Sequence, residues 1–243
     1  AGGSSGGSGA SVSANFCTVA VGQEGFASIR RPSTWNCLSG MRPTAGLVSR
    51  SGVYAGWPSV NGSLGPMART VGDLAKLLDN MVGYDPDDPV TARGVGRIPE
   101  SFTKFLDSNG LKGARIGILR ESIGYDAAPG SEDFAKITEV FDKAVHDLKA
   151  AGAVVVDPIV IPNLKALLAK RAGSFADDEE SFREYFGRGG KPPYASRQQA
   201  MQSPDFHKVV KGSRERWSRA PSNDANYEYL KAREELMTNL LQV

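Results

Sequence analysis

Between Thr70 and Val82 the apolar residues Val71, Leu74, Leu77, Leu78, Met81 and Val82 recur at helical spacing. Thr70 supplies an N-cap and Gly83 a stop, so the pattern predicts a helix over 70–82. The run Tyr84-Asp85-Pro86-Asp87-Asp88-Pro89 then reads as a turn-rich loop. Residues 114–119 (ARIGIL) have strand character, and Ser131 caps a helix with Phe134, Ile137, Phe141, Val145 and Leu148 on one face. Gly152 ends that helix, and residues 153–156 (AVVV) form a second strand, expected to be buried. Strand, helix and strand in this order predict a parallel βαβ crossover, hence an α/β architecture with helices lying on the sheet. After Pro162 the pattern turns mainly helical, over 164–186 and 223–243, with a Gly/Pro-rich stretch between. Residues 11–21 (SVSANFCTVAV) suit a buried helix or a buried strand, and their period does not choose.

Composition narrows the function classes. The chain has 243 residues, 40% of them hydrophobic and 23% charged, as in a folded water-soluble protein of one large domain or two small ones. Lys and Arg number 29 against 27 Asp and Glu, a net charge of +2, which disfavours binding to nucleic acid through phosphate neutralisation. No apolar run reaches the roughly 18 residues that a membrane span needs. Cys17 and Cys37, even with His146 and His207, suggest neither a disulfide scaffold nor a zinc site, and the expected setting is the reducing cytoplasm. The chain opens at Ala1 without an initiator Met and closes inside a helix-like run, so it is expected to be an internal piece of a longer protein.

The chemistry is concentrated in the first 33 residues. Alone, Gly2 to Gly9 would pass for a flexible Gly/Ser linker, and the run lacks the GK[ST] ending of a phosphate-binding loop. It is followed, however, by the apolar segment, then Glu24, then Ser28-Ile29-Arg30-Arg31-Pro32, with Ser4 and Ser28 standing 24 positions apart. Gly2-Gly3-Ser4-Ser5-Gly6-Gly7, Glu24 and Ser28-Ile29-Arg30-Arg31-Pro32 together resemble the amidase signature family of serine hydrolases. The likeness continues collinearly through Gly40-Met41-Arg42-Pro43-Thr44, residues 46–52 (GLVSRSG), residues 65–71 (GPMARTV) and the loop 83–89, and more weakly through the 114–119 strand.

The resemblance implies a mixed β-sheet core flanked by helices, here a partial domain. Residues 1–90 would carry the signature and nucleophile, 91–160 the βαβ part of the sheet, and 161–243 a helical region covering the substrate. It implies Ser28 as nucleophile and Ser4 as a proton relay, held by a cis peptide bond and passing the proton to a neutral lysine. The backbone amides of Gly25, Phe26, Ala27 and Ser28 would face the developing oxyanion, each such donor being worth roughly 3 kcal/mol. Glu24 and Arg30 bracket Ser28 and would brace the loop as an ion pair or stand as ordinary surface charges; Ser5 would add a hydrogen bond near the relay or serve packing alone. No metal or organic cofactor is implied.

Departures from the family pattern bear on the reading. The family's lysine lies far upstream of the nucleophile, beyond the 27 residues that precede Ser28, so these residues alone are expected to be inactive. Phe26 stands where the family usually has glycine; a positive φ there would cost a bulky residue about 1–2 kcal/mol, and the other reading is that its ring lines the acyl pocket. Gly62 replaces the more usual aspartate.

Other residues take simpler readings. His146 and His207 are expected on the surface or without a catalytic partner, and Cys17 and Cys37 as small buried hydrophobes. Asp177-Asp178-Glu179-Glu180 suits a helix N-terminus. Trp57, Trp217, Tyr185, Phe186, Tyr227 and Tyr229 suit either core or a substrate wall. The function implied is hydrolysis of a carboxamide C–N bond in a small-molecule amide, with a homodimer admitted. Alternatives are the glutaminase subunit of a tRNA-dependent amidotransferase, and a non-catalytic binding scaffold in which Phe26 has spoiled the oxyanion loop.

Overall fold

The structure is a computed structural model, and it describes residues 1–53, 62–123, 128–170, 182, 186, 190–218 and 223–243. The chain divides into two compact units, one of Ala1–Phe105 with Ser174–Pro221, the other of Leu106–Gly173 with Ser222–Val243.

In the first unit segment 11–21 holds the end of one helix and the start of one strand, but of its residues only Val12 is buried, and Phe16 and Val21 are exposed. Helix α1 (Gly6–Ser13) begins inside the Gly/Ser run, the turn at Asn15 takes a left-handed φ, and strand β1 (Val19–Glu24) follows. Helix α2 (Arg30–Trp35) and the short strand β2 (Ser39–Gly40) lead to β3 (Ser63–Ala68). The sheet is antiparallel in the order β1-β3-β2, with Gly22 opposite Gly65 and Val19 opposite Ala68. The paired glycines answer to close packing. A Cβ on Gly22 would stand 2.8 Å from Ile29 Cγ1, and one on Gly65 would stand 2.1 Å from the Met41 carbonyl oxygen. Val12 of α1, Ile29 and Met67 are fully buried, so the core of this unit lies where α1 and the turn that carries Ser28 meet the sheet.

Helix α3 (Val71–Asp79) has the predicted cap, with Thr70 Oγ1 accepting from the Asp73 amide at 3.0 Å. It ends at Asp79, short of Gly83, because the following amides turn back to the Leu77 and Leu78 carbonyls.

The second unit carries the crossover. Strands β4 (Arg115–Gly117) and β5 (Val154–Val156) pair in parallel, with the long helix α4 (Glu132–Ala150) between them in sequence. Ser131 Oγ accepts from the Phe134 amide as the N-cap, and Gly152 takes a φ of +91° beyond the C-terminus. Arg120 closes the unit: Nε and Nη2 reach the two Asp157 carboxylate oxygens at 2.7 and 2.6 Å, and Nη1 reaches Asp142 at 2.5 Å. Two details differ from the sequence reading. The covered face of α4 runs through Phe134, Thr138, Phe141, Val145 and Leu148, while Ile137 is exposed. Val154 and Val156 are also exposed, because alternate residues of β5 face opposite ways and α4 packs on one face of a two-stranded sheet.

Helix α5 (Leu164–Ala169) starts where the predicted 164–186 helix does but ends at its C-cap Lys170, whose amide turns back to the Leu167 and Leu168 carbonyls; Phe182 and Phe186 are helical again, and Trp57, Tyr185 and the acidic run 177–180 lie outside the described residues. Helices α6 (Arg197–Gln202) and α7 (Lys211–Trp217) return to the first unit, where Trp217 meets Phe182 edge-on at 6.3 Å and Phe206 at 6.0 Å. Phe186 stacks tilted on Phe182 at 4.6 Å. Helix α8 (Asn223–Leu241) packs on α5 in the second unit, with Tyr229 half-buried and Tyr227 exposed.

The cysteines correct the sequence reading. Cys37 is exposed, with a left-handed φ in the turn that ends α2, and Cys17 is half-buried with its Sγ 3.4 Å from Ser11 Oγ. Both sit in chain reversals after helices, which turn the side chain away from the core. His146 is exposed, 3.4 Å from Asp147, and His207 is exposed.

Candidate active site

The turn between β1 and α2 is built around one carboxylate. Glu24 is the last residue of β1 and is fully buried. Its Oε2 accepts from the amides of Ile29 at 2.8 Å and Arg30 at 2.9 Å, and its Oε1 accepts from Arg30 Nε at 2.7 Å and pairs with Nη2 at 2.6 Å. Burial pushes the carboxyl upward, but the amide and guanidinium of Arg30 and the amide of Ile29 outweigh it and hold Glu24 below its ordinary 4.5. Arg30 Nη2 also donates to the Phe26 carbonyl, and the Arg31 amide donates to the Ala27 carbonyl at 2.9 Å. Charge, backbone and side chain thus fix the five residues from Glu24 to Ser28. Glu24 and Arg30 form the bracing pair rather than standing as separate surface charges.

The Gly/Ser loop docks onto this turn. The Ser5 amide donates to the Ser28 carbonyl at 3.0 Å, which sets Ser4 and Ser28 on neighbouring backbone segments despite their separation in sequence. Ser5 Oγ accepts from the Gln23 amide at 3.0 Å and donates to the Gln23 carbonyl at 3.3 Å, so this side chain ties the loop to the strand that carries Glu24. The Gly3–Ser4 peptide bond is cis and Gly2 has a φ of +72°. Ser4 is exposed and Ser28 half-buried. Among the described residues the amides of Gly25, Ala27 and Ser28 have no protein acceptor. Phe26 does not adopt a positive φ, a conformation found among the described non-glycine residues at Asn15, Cys37 and Asn163. The strain considered for an aromatic residue at position 26 therefore does not arise.

Arg50, in the GLVSRSG motif, and Asp88, in the 83–89 loop, meet in a second clasp. Asp88 Oδ2 accepts from the Arg50 amide at 2.9 Å and Nε at 2.8 Å, and Oδ1 accepts from Nη2 at 2.7 Å, with both side chains nearly enclosed. Those bonds hold Asp88 below its ordinary 3.8 against the opposing pull of burial. Ser49 Oγ reaches Asp85 Oδ2 at 2.5 Å, and the fully buried Thr91 ties the carbonyls of Asp85 and Asp88 together. The available signal was an arginine in the GLVSRSG motif and an acidic run in the 83–89 loop, but nothing in their spacing specified the partner. No group of three or more His, Cys, Asp or Glu side chains gathers as a metal site among the described residues, and no described helix is long and apolar enough to cross a membrane.

Against known proteins, the family model described as Amidase matches residues 1–242. The chain belongs to the amidase family. A probable amidase of Arabidopsis thaliana is 37% identical over 167 residues, covering 68% of this chain and 30% of that protein. A glutamyl-tRNA(Gln) amidotransferase subunit from Microcystis aeruginosa is 40% identical over 154 residues, covering 63% of this chain and 30% of that one. The crystal structure of the native peptide amidase from Stenotrophomonas maltophilia superposes with a TM-score of 0.75 at 30% identity, over 96% of this chain and 47% of that one. The fold is therefore the α/β amidase fold in part. The chain spans about a third of the length of these curated relatives and under half of the structural one.

Proposed function

We propose that the complete polypeptide hydrolyses a carboxamide C–N bond through an acyl-enzyme on Ser28. Ser28 Oγ attacks the carbonyl carbon and its proton passes to Ser4 Oγ, which hands its own proton to a lysine outside residues 1–243. The carbonyl electron pair moves onto oxygen, facing the amides of Gly25, Phe26, Ala27 and Ser28. Collapse of the tetrahedral intermediate expels the amine, which takes the proton back through the relay. Water then attacks the Ser28 ester by the same route, releasing the acid and restoring both serines. Glu24 and Arg30 act as positioning residues, because they hold the turn and touch no reacting atom.

The observation that carries this reading is the Ser5 N–H bond to the Ser28 carbonyl, made while Glu24 grips the residues on the other side of Ser28. It joins the relay loop to the nucleophile turn. Amide hydrolysis is also what the family relationship supports.

The test is ammonia or amine release by the longest polypeptide that the gene encodes. Ser28→Ala is expected to lower kcat by about 10³-fold or more, and Ser4→Ala by a comparable factor, as for other residues that act as one unit. Full activity in Ser28→Ala overturns the reading.

The amidotransferase relative supports a second reading, in which the same site is a glutaminase that needs partner chains. Hydrolysis of simple amides by the isolated polypeptide rejects that reading, whereas activity only with partner chains present supports it.

A further inference from the structure

We infer that Phe26 selects the substrate: its ring is an apolar contact for the acyl group, favouring neutral amides that carry an aryl or bulky alkyl group next to the scissile carbonyl. The inference rests on the reading of Ser28 as nucleophile and deepens it. Phe26 leaves 55% of its surface exposed, while Ile29, three residues on in the same turn, is completely buried. The turn thus has an apolar residue for the core and a second one presented to solvent.

The backbone that carries this ring is held in place. Arg30 Nη2 holds the Phe26 carbonyl, Glu24 holds Arg30, and the Arg31 amide holds the carbonyl of Ala27. An apolar ring on a pinned backbone pays little further ordering cost when a ligand meets it. Phe26 and Ser28 are two residues apart, so their Cα atoms are separated by no more than about 7 Å. The ring is therefore within reach of a group esterified to Ser28. In the proposed reaction the acyl part stays on Ser28 after the amine leaves, so a contact at this distance serves both half-reactions. The nearby Arg30 is already paired with Glu24, which leaves the contact selective for bulk and apolarity rather than for an acidic acyl group.

The experiment compares acetamide with phenylacetamide, both read by ammonia release, using the longest polypeptide that the gene encodes. In the wild type the ratio of kcat/KM is expected to favour phenylacetamide. Phe26→Ala should lower that ratio by about tenfold or more, the scale on which an apolar pocket discriminates, and Phe26→Leu should keep most of it. Phe26→Ser serves as a second truncation if the alanine variant fails to fold, with the thermal midpoint checking each. Variants that hydrolyse both amides at the wild-type ratio overturn this inference and leave the amidase reading standing. A folded wild type that turns over neither amide and takes no fluorophosphonate adduct at Ser28 overturns the amidase reading and this inference with it.

Discussion

Glu24 shows how one residue can organise a site that it does not enter. It is completely buried, yet every partner given above is a donor on the turn around Ser28, so its charge is balanced locally. Arg30 is 58% exposed and stays solvated without its partner, so the loss falls on the charge-assisted bonds to the buried carboxylate, and Glu24→Gln should cost about 2 kcal/mol at pH 7 in urea unfolding. The pH dependence follows from the direction of the shift. The folded carboxyl titrates below its ordinary 4.5, so its stabilisation is complete above that value and is lost as the pH falls through the lower, folded one. The gap between wild type and Glu24→Gln should therefore narrow on going from pH 7 to about pH 3.5; a gap that stays constant would show that the charge is not the source. The Glu24–Arg30 pair was legible in advance, because an acidic residue and a Ser-Ile-Arg-x-Pro turn follow the Gly/Ser run in the order that the family resemblance rests on; the same order carries the roles proposed for Ser4 and Ser28. The Arg50–Asp88 clasp was not legible, since its partners lie 38 positions apart and a charge carries no mark of its partner.

At the scale of elements, the caps and the crossover were readable because they are local. Thr70 and Ser131 each accept from the amide three residues on, and the hydrophobic period placed α3 and α4 to within a few residues at their ends. The Ser131 cap is expected to be worth about 1 kcal/mol, so Ser131→Ala should lower the urea midpoint while leaving the unfolding slope unchanged. A slope that changes as well would mean that the helix end does more than cap. What the pattern missed in this unit has a common cause. The period puts Ile137 on the covered face and suits a buried β5, but burial depends on which layers surround an element, and period alone does not count layers. The same limit applied to residues 11–21, whose small and β-branched composition suited a helix as well as a strand; the chain uses both, with a reversal at Asn15.

At the scale of the whole molecule, the first unit gathers the Gly/Ser loop, the turn that carries Ser28 and the three-stranded sheet, and the second carries the βαβ crossover. The family was legible because several motifs occur collinearly along the chain. The central claim is that Ser28 is a nucleophile whose proton leaves through Ser4, and it is tested most directly by covalent labelling. The longest polypeptide that the gene encodes would be treated with a fluorophosphonate, and peptide mass mapping would locate the adduct. The account predicts one adduct, on Ser28, absent in Ser28→Ala and formed much more slowly in Ser4→Ala. A folded protein that remains unlabelled, or one labelled at another serine, would contradict it.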